Sequence, residues 1–217
     1  EFNDLTERLQ TSEQKRSRFV SDASHELKTP LASIKLLSDS ILQYDMDLDT
    51  VREFVGDIGD EAERLNRMTE KLLSMTRAEG KVSEESEIIY MAPTVRRVAR
   101  MLGQNAAQTG IRFHLELEED TPILILEDDL YQIVFNLMEN GIKYNVPGGS
   151  LTVRLSRQED NAILTVTDTG MGIPEEAIGH IFERFYRVDK ARSRQSGGSG
   201  LGLAIVRAIV QRKRGEI

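Results

Sequence analysis

From Phe2 to Met75 apolar side chains return at intervals of three and four, the period of an amphipathic helix. Phe2, Leu5 and Leu9 stand at a and d spacing, the stripe weakens at Ser12 and Arg16, and it resumes at Phe19. Ala23, Leu27, Leu31, Ile34 and Ile41 carry it to Tyr44-Asp45-Met46-Asp47, which reads as a connector. A second helix follows, with Val51, Val55, Ile58, Ala62, Leu65, Leu72 and Met75 close to a heptad seam. Two such helices on a short link predict an antiparallel hairpin. One hairpin buries its stripe poorly, so two copies paired as a four-helix bundle is the expected solution.

Residues 80–86 are a polar linker, and beyond them the period changes. Ile111, Phe113, Leu115 and Leu117 alternate, as do Leu151, Val153 and Leu155; both runs predict half-buried strands, and residues 162–167 predict a third. Helical patterns occupy 92–108, 127–144 and 201–212. Strands and helices so mixed imply an α+β sandwich, a sheet with helices on one face. No internal repeat is visible. Residues 173–199, charged and then rich in Gly and Ser, resemble a mobile lid more than packed core.

Composition narrows the function. A net charge of −8 argues against a general nucleic-acid binder, which would carry a basic surface. The absence of cysteine excludes disulfides and thiolate zinc sites and fits a reducing cytoplasm. The three histidines, His25, His114 and His180, are not spaced like a zinc site. No apolar run is long enough to span a bilayer.

Four places carry candidate chemistry. His25 lies midway between the stripe residues Ala23 and Leu27, so it points away from the stripe into solvent, with Glu26 adjacent and Thr29 on its face. A neutral exposed imidazole is a competent nucleophile near pH 7, although many helix histidines are simply solvated. Pro30 costs about 3 kcal/mol inside a continuing helix, so a kink there should serve something nearby. Asn136, Asn140 and Lys143 share one helix face, where amide oxygens can ligate a hard cation and the ammonium can meet a phosphate. Asp168-Thr169-Gly170-Met171-Gly172-Ile173 follows a strand; its carboxylate can accept a bond from an exocyclic amine, though Asp and Gly also make plain turns. Gly198-Ser199-Gly200-Leu201-Gly202 opens the last helix, where exposed N–H groups and the helix dipole attract phosphate.

Together these segments resemble the sensor histidine kinases of bacterial two-component systems. Ser24-His25-Glu26-Leu27-Lys28-Thr29-Pro30-Leu31 resembles the H-box, and residues 136–144 resemble the N-box, with Gly141 in place of the usual alanine. Residues 168–173 resemble the G1 box, 182–187 the F-box and 198–203 the G2 box, all in family order. The resemblance implies ATP and Mg²⁺ as cofactors, with Asn136 and Asn140 as metal ligands. Lys143, Tyr144, Gly170, Gly172, Arg187, Gly198, Gly200, Leu201 and Gly202 would border the nucleotide, and Asp168 would read the adenine amine. It implies phosphorylation of His25 assisted by Glu26, then transfer to the receiver domain of a response regulator. It also implies dephosphorylation of that regulator through a water oriented by Thr29.

The resemblance further implies a homodimer and four segments. These are a signalling helix over 1–18 resembling the end of a HAMP module, a dimerisation and phosphotransfer domain over 19–80, a linker over 81–87, and an ATP-binding domain over 88–217 with a truncated C-terminal end. An upstream sensor domain in a membrane-anchored parent is expected, this segment itself being cytoplasmic. A hydrolysing ATPase of the gyrase and heat-shock chaperone type shares the nucleotide fold but not the H-box. A degenerate coiled-coil scaffold would not keep Asn136, Asp168, Gly200 and Gly202.

Overall fold

The computed structural model describes residues 2–80, 86–188 and 198–217. The side chains of Phe2, Leu5, Leu9, Ser12 and Arg16, most of the linker, and residues 189–197 of the expected lid lie outside the described residues. The chain forms two compact units, residues 1–73 and 74–217.

The first unit is the expected hairpin. Helix α1 (Phe2–Gln43) runs through Pro30 without a break, and α2 (Leu48–Glu79) follows. The connector is fastened by Asp47, which accepts bonds from the amides of Thr50 (2.9 Å) and Asp49 (3.0 Å) and from the Thr50 hydroxyl (2.8 Å). These bonds, those from Thr50 foremost, hold the Asp47 carboxyl below its ordinary pKa. Within the first unit these stripe residues stay at best half covered: Val51, Ile58, Leu65 and Leu72 are half-buried, while Leu31, Val55 and Ala62 are exposed. A single hairpin therefore leaves apolar area in water, as its geometry requires.

The second unit takes the last six residues of α2, from Ser74 on, and builds an α+β fold. Its elements are β1 (Glu87–Tyr90), α3 (Met91–Gln108), β2 (Arg112–Leu117), β3 (Pro122–Ile125), α4 (Glu127–Lys143), β4 (Ser150–Gln158), β5 (Asn161–Asp168), the short α5 (Glu175–Ile178) and α6 (Gly202–Arg212). The three predicted strands form one sheet in the order β2-β4-β5, parallel then antiparallel. The sequence pattern missed β1 and β3, which pair antiparallel as a separate ribbon with Ile88 opposite Leu124.

The core lies between the sheet and the helices. Leu151, Val153 and Leu155 face inward from β4, at the period of two. Against them come Leu130, Val134 and Met138 of α4, flanked by Val95, Val98 and Leu102 of α3 and Ile205 and Ile209 of α6. Pro93 is harmless because it sits in the first turn of α3, where an N–H has no helical partner. Gly141 explains its own presence: a Cβ there would fall 2.3 Å from Cδ1 of Leu151. Glycine at this point lets α4 lie close on β4.

The last turns of α2 are tied to this unit. Ser74 Oγ donates to Gln132 Oε1 (2.8 Å), Arg212 Nη1 donates to the Arg77 carbonyl (2.7 Å), and Glu79 pairs with Arg184. Burial lowers the pKa of Arg184. Arg212 also pairs with Asp129 of α4, and Met75 and Ala78 are buried.

Candidate functional site

On α1, His25 is exposed and Glu26 half-buried. Thr29 is exposed one turn on, and its hydroxyl donates a long bond, 3.4 Å, to the His25 carbonyl. Pro30 is buried and lacks the N–H of one helical rung. The imidazole thus stands in solvent on α1, as the 100° spacing predicted.

The second unit assembles the other candidates around α4. Asn136 is buried at 3% exposure, and its Nδ2 donates to the Gln132 carbonyl at 2.8 Å. That bond turns Oδ1 toward the start of α6, where it lies 3.0 Å from the place a Cβ would take on Gly202. A larger residue at 202 would press on that oxygen. Asn140, one turn further, is half-buried. Lys143 closes the helix, its Nζ 5.4 Å from the Tyr144 ring centroid. The same Nζ lies 2.5 Å from the Cβ position of Gly198, and the Tyr144 hydroxyl 3.4 Å from it. The helix face and the glycine loop therefore converge.

That loop is held by its own geometry. Gly200 has φ of +69°, and a Cβ on it would meet the Phe185 backbone at 2.7 Å. Only glycine fits there without strain. The Phe185 amide donates to the Gly200 carbonyl at 2.9 Å, strapping the segment after α5 to the loop. Leu201 is fully buried and Ser199 nearly so, which anchors the start of α6. Arg187 turns its guanidinium inward, with Nε and Nη2 buried. The expected lid is thus structured over residues 174–188, where α5 buries Ala177.

Asp168 ends β5, exposed, with one carboxylate oxygen accepting from the Gly170 amide at 2.8 Å. Among the described residues its other oxygen has no partner. Gly170 lies so near α4 that a Cβ would sit 2.2 Å from the Tyr144 carbonyl, which accepts from the Met171 amide (3.2 Å). Gly172 adopts φ of +72° with open space around it.

The structure thus brings Asn136, Asn140, Lys143, Tyr144, Gly198, Gly200, Gly202, Asp168 and Gly170 to one side of the second unit. Chemically, they offer neutral amide oxygens and one ammonium on α4 and at its end, helix-start N–H groups at α6, and a carboxylate at the end of β5. This set suits a ligand with anionic and hydrogen-bond-donating ends. Sequence reasoning missed two residues in it, Asn145 and Thr169. Both stand in turn-forming contexts that give no sign of their long-range bonds.

Two family patterns match the chain: residues 15–81 fit the "His Kinase A (phospho-acceptor) domain" and residues 125–217 the "Histidine kinase-, DNA gyrase B-, and HSP90-like ATPase". Sensor histidine kinase RppB of Synechocystis is 33% identical over 95% of this chain and 46% of its own length. Signal transduction histidine-protein kinase ArlS of Staphylococcus aureus is 33% identical over 100% of this chain and 48% of its own. This chain therefore spans about half the length of either relative. Among solved structures, the mycobacterial sensor histidine kinase MprB is 30% identical, covering 59% of this chain and 80% of that one, with a TM-score of 0.52.

Proposed function

This chain belongs to the sensor histidine kinase family, and on that premise we propose that it moves the γ-phosphate of ATP onto its own His25. The observation that carries the reading is the convergence of Asn136, Lys143 and Tyr144 on the glycine loop of residues 198–202, in a chain that also exposes His25. Asp168 takes the adenine amino group at one end of the cleft. Lys143 and the loop N–H groups take the phosphates at the other. The amide oxygens of Asn136 and Asn140 are hard, neutral donors that would hold Mg²⁺. Such a cation, when bound, neutralises charge on the transferring group. Arg187 is a further candidate toward the phosphates.

In the transfer, the unprotonated imidazole nitrogen of His25 bonds to phosphorus as the bond to the β,γ-bridging oxygen breaks, and ADP leaves. The transition state is loose, so positioning matters more than covalent help. Glu26 accepts a hydrogen bond from the other ring nitrogen and stabilises the developing positive charge. The phosphoryl group then passes to an aspartate of a response-regulator receiver domain. Thr29, on the His25 face, orients a water for the reverse dephosphorylation.

We assign residues 19–80 to dimerisation and phosphotransfer and 88–217 to ATP binding. The active form is a homodimer, controlled in its parent protein by an upstream, membrane-anchored sensor through the helix at 1–18. No nucleic acid takes part. None of the described helices is long and apolar enough to cross a membrane.

The test is incubation with γ-labelled ATP. Acid-labile label should appear on the chain, and His25→Gln should abolish it while ATP affinity stays within about twofold, since acceptor and cleft lie in separate units. Label retained at His114 or His180 would overturn the assignment.

A further inference from the structure

The two ends of the cleft stand on different elements: the phosphate end on α4, the adenine end on the last residue of β5. A ligand that spans both needs their separation fixed. The backbone of Asp168 pairs with Leu151 in the β4–β5 ladder, but its exposed carboxylate is held, among the described residues, by the Gly170 amide two residues on.

The fixing is done beside it. Asn145, just past α4, donates through Nδ2 to the Gly141 carbonyl of α4 (3.0 Å) and to the Ser150 carbonyl at the start of β4 (2.9 Å). Its Oδ1 accepts from the Thr169 hydroxyl (3.1 Å) and from the Val146 amide (2.9 Å). Thr169 Oγ1 in turn accepts from the Ser150 amide at 2.8 Å, while the Thr169 amide donates to the Ser150 carbonyl at 3.2 Å. Asn145 uses both its donors and both its acceptor positions, and Thr169 both donates and accepts. A Cβ on Gly149 would fall 2.3 Å from Asn145 Oδ1 and 2.6 Å from Thr169 Oγ1, so the loop leaves these two groups room to meet. One small network thus joins the end of α4, the start of β4 and the end of β5.

We propose that Asn145 and Thr169 are positioning residues that set Asp168 relative to the phosphate-binding face of α4, so that adenine recognition depends on their mutual hydrogen bond. The inference rests on the reading of Asp168 given above and goes beyond it, since it gives these two residues a role through Asp168. A preorganised acceptor retains its selectivity only while its supporting bonds keep it in place.

The experiment measures, by calorimetry on the 217-residue chain with Mg²⁺, the affinities for ATP and for purine riboside triphosphate, which lacks the 6-amino group. The ratio of the two is taken on the same folded protein, so a partly inactive preparation does not distort it. The unaltered chain should prefer ATP about tenfold or more, the value of one hydrogen bond to a charged acceptor. Thr169→Val, the same shape without the hydroxyl, should reduce that preference to about threefold or less, and so should Asn145→Ala. Thr169→Ser should restore it.

Equal weakening of both nucleotides in Thr169→Val, an unchanged preference, or a variant that does not fold would each make the network a plain fastening and overturn the inference. Asp168→Asn separates the two levels. If it keeps the preference for ATP, the assignment of Asp168 fails and the inference with it. If Asp168→Asn loses the preference while Thr169→Val keeps it, the inference alone fails.

Discussion

Replacing Gly141 by alanine sets two effects of known sign against each other. In a helix interior alanine is favoured over glycine by about 1 kcal/mol, so propensity alone predicts stabilisation. The structure predicts the reverse, because the new methyl would lie 2.3 Å from Cδ1 of Leu151, a side chain with no exposed surface in which to retreat. Forcing an extra carbon into a filled core costs about 1–3 kcal/mol. The net is a loss of about 1 kcal/mol, the difference between those two figures. Leu151→Val removes the offending δ carbons and alone costs about 1 kcal/mol of burial.

In the double variant the methyl meets only the γ position, 3.5 Å away and in ordinary contact. Stability should then return close to that of the unaltered chain, a favourable coupling of about 2 kcal/mol. Urea unfolding of the four proteins, followed by circular dichroism, measures the cycle, and ATP affinity should follow it because Asn140 and Lys143 flank the site of strain. Gly141→Ala that stabilises by itself, or two substitutions that simply add, would refute the packing argument.

Three other outcomes are expected. The depressed Asp47 carboxyl stabilises the hairpin at pH values above the ordinary aspartate pKa, about 3.9, and that contribution should vanish as pH falls through its lower folded value. Comparing thermal unfolding of the unaltered chain and Asp47→Ala between neutral and strongly acid pH should show their midpoints converge. Thr29→Ala should leave autophosphorylation within a few-fold of normal but slow regulator dephosphorylation at least about tenfold, equivalent to about 1.4 kcal/mol; equal loss of both activities would reduce Thr29 to its bond with the His25 carbonyl. Glutamate at both Ile58 and Leu65 would place charges in the paired seam and should give monomers by light scattering, whereas an unaltered chain already monomeric at micromolar concentration would sink the dimer reading.

The helices were legible because their periods are long and regular: residues 92–108 and 127–144 were expected, and α3 and α4 end within a residue of those limits. Strands β2, β4 and β5 showed through their alternation. The ribbon of β1 and β3 did not, since each strand has four residues, too few to establish a period of two. The outward direction of His25 followed from its place on the helix. Gly141, by contrast, stood out only as a departure from the usual alanine, because its reason is a leucine on another element. The bond between Asn145 and Thr169 was hidden for the same cause: it joins positions 24 apart that each look like local turns.

The fastening of α2 to the second unit bears on where the protein can be cut. A fragment starting in the polar stretch after Gly80 would discard Met75 and Ala78, whose side chains are buried, along with the carbonyl that receives Arg212. Arg212 and its partner Asp129 would lose cover at a point where both are nearly enclosed, at 10% and 14% exposure. Glu79 would no longer neutralise Arg184, which leads into the strap at Phe185. An isolated nucleotide-binding fragment should therefore begin at Ser74 or earlier, carrying a short length of helix that the hydropathy pattern alone would have given to its neighbour.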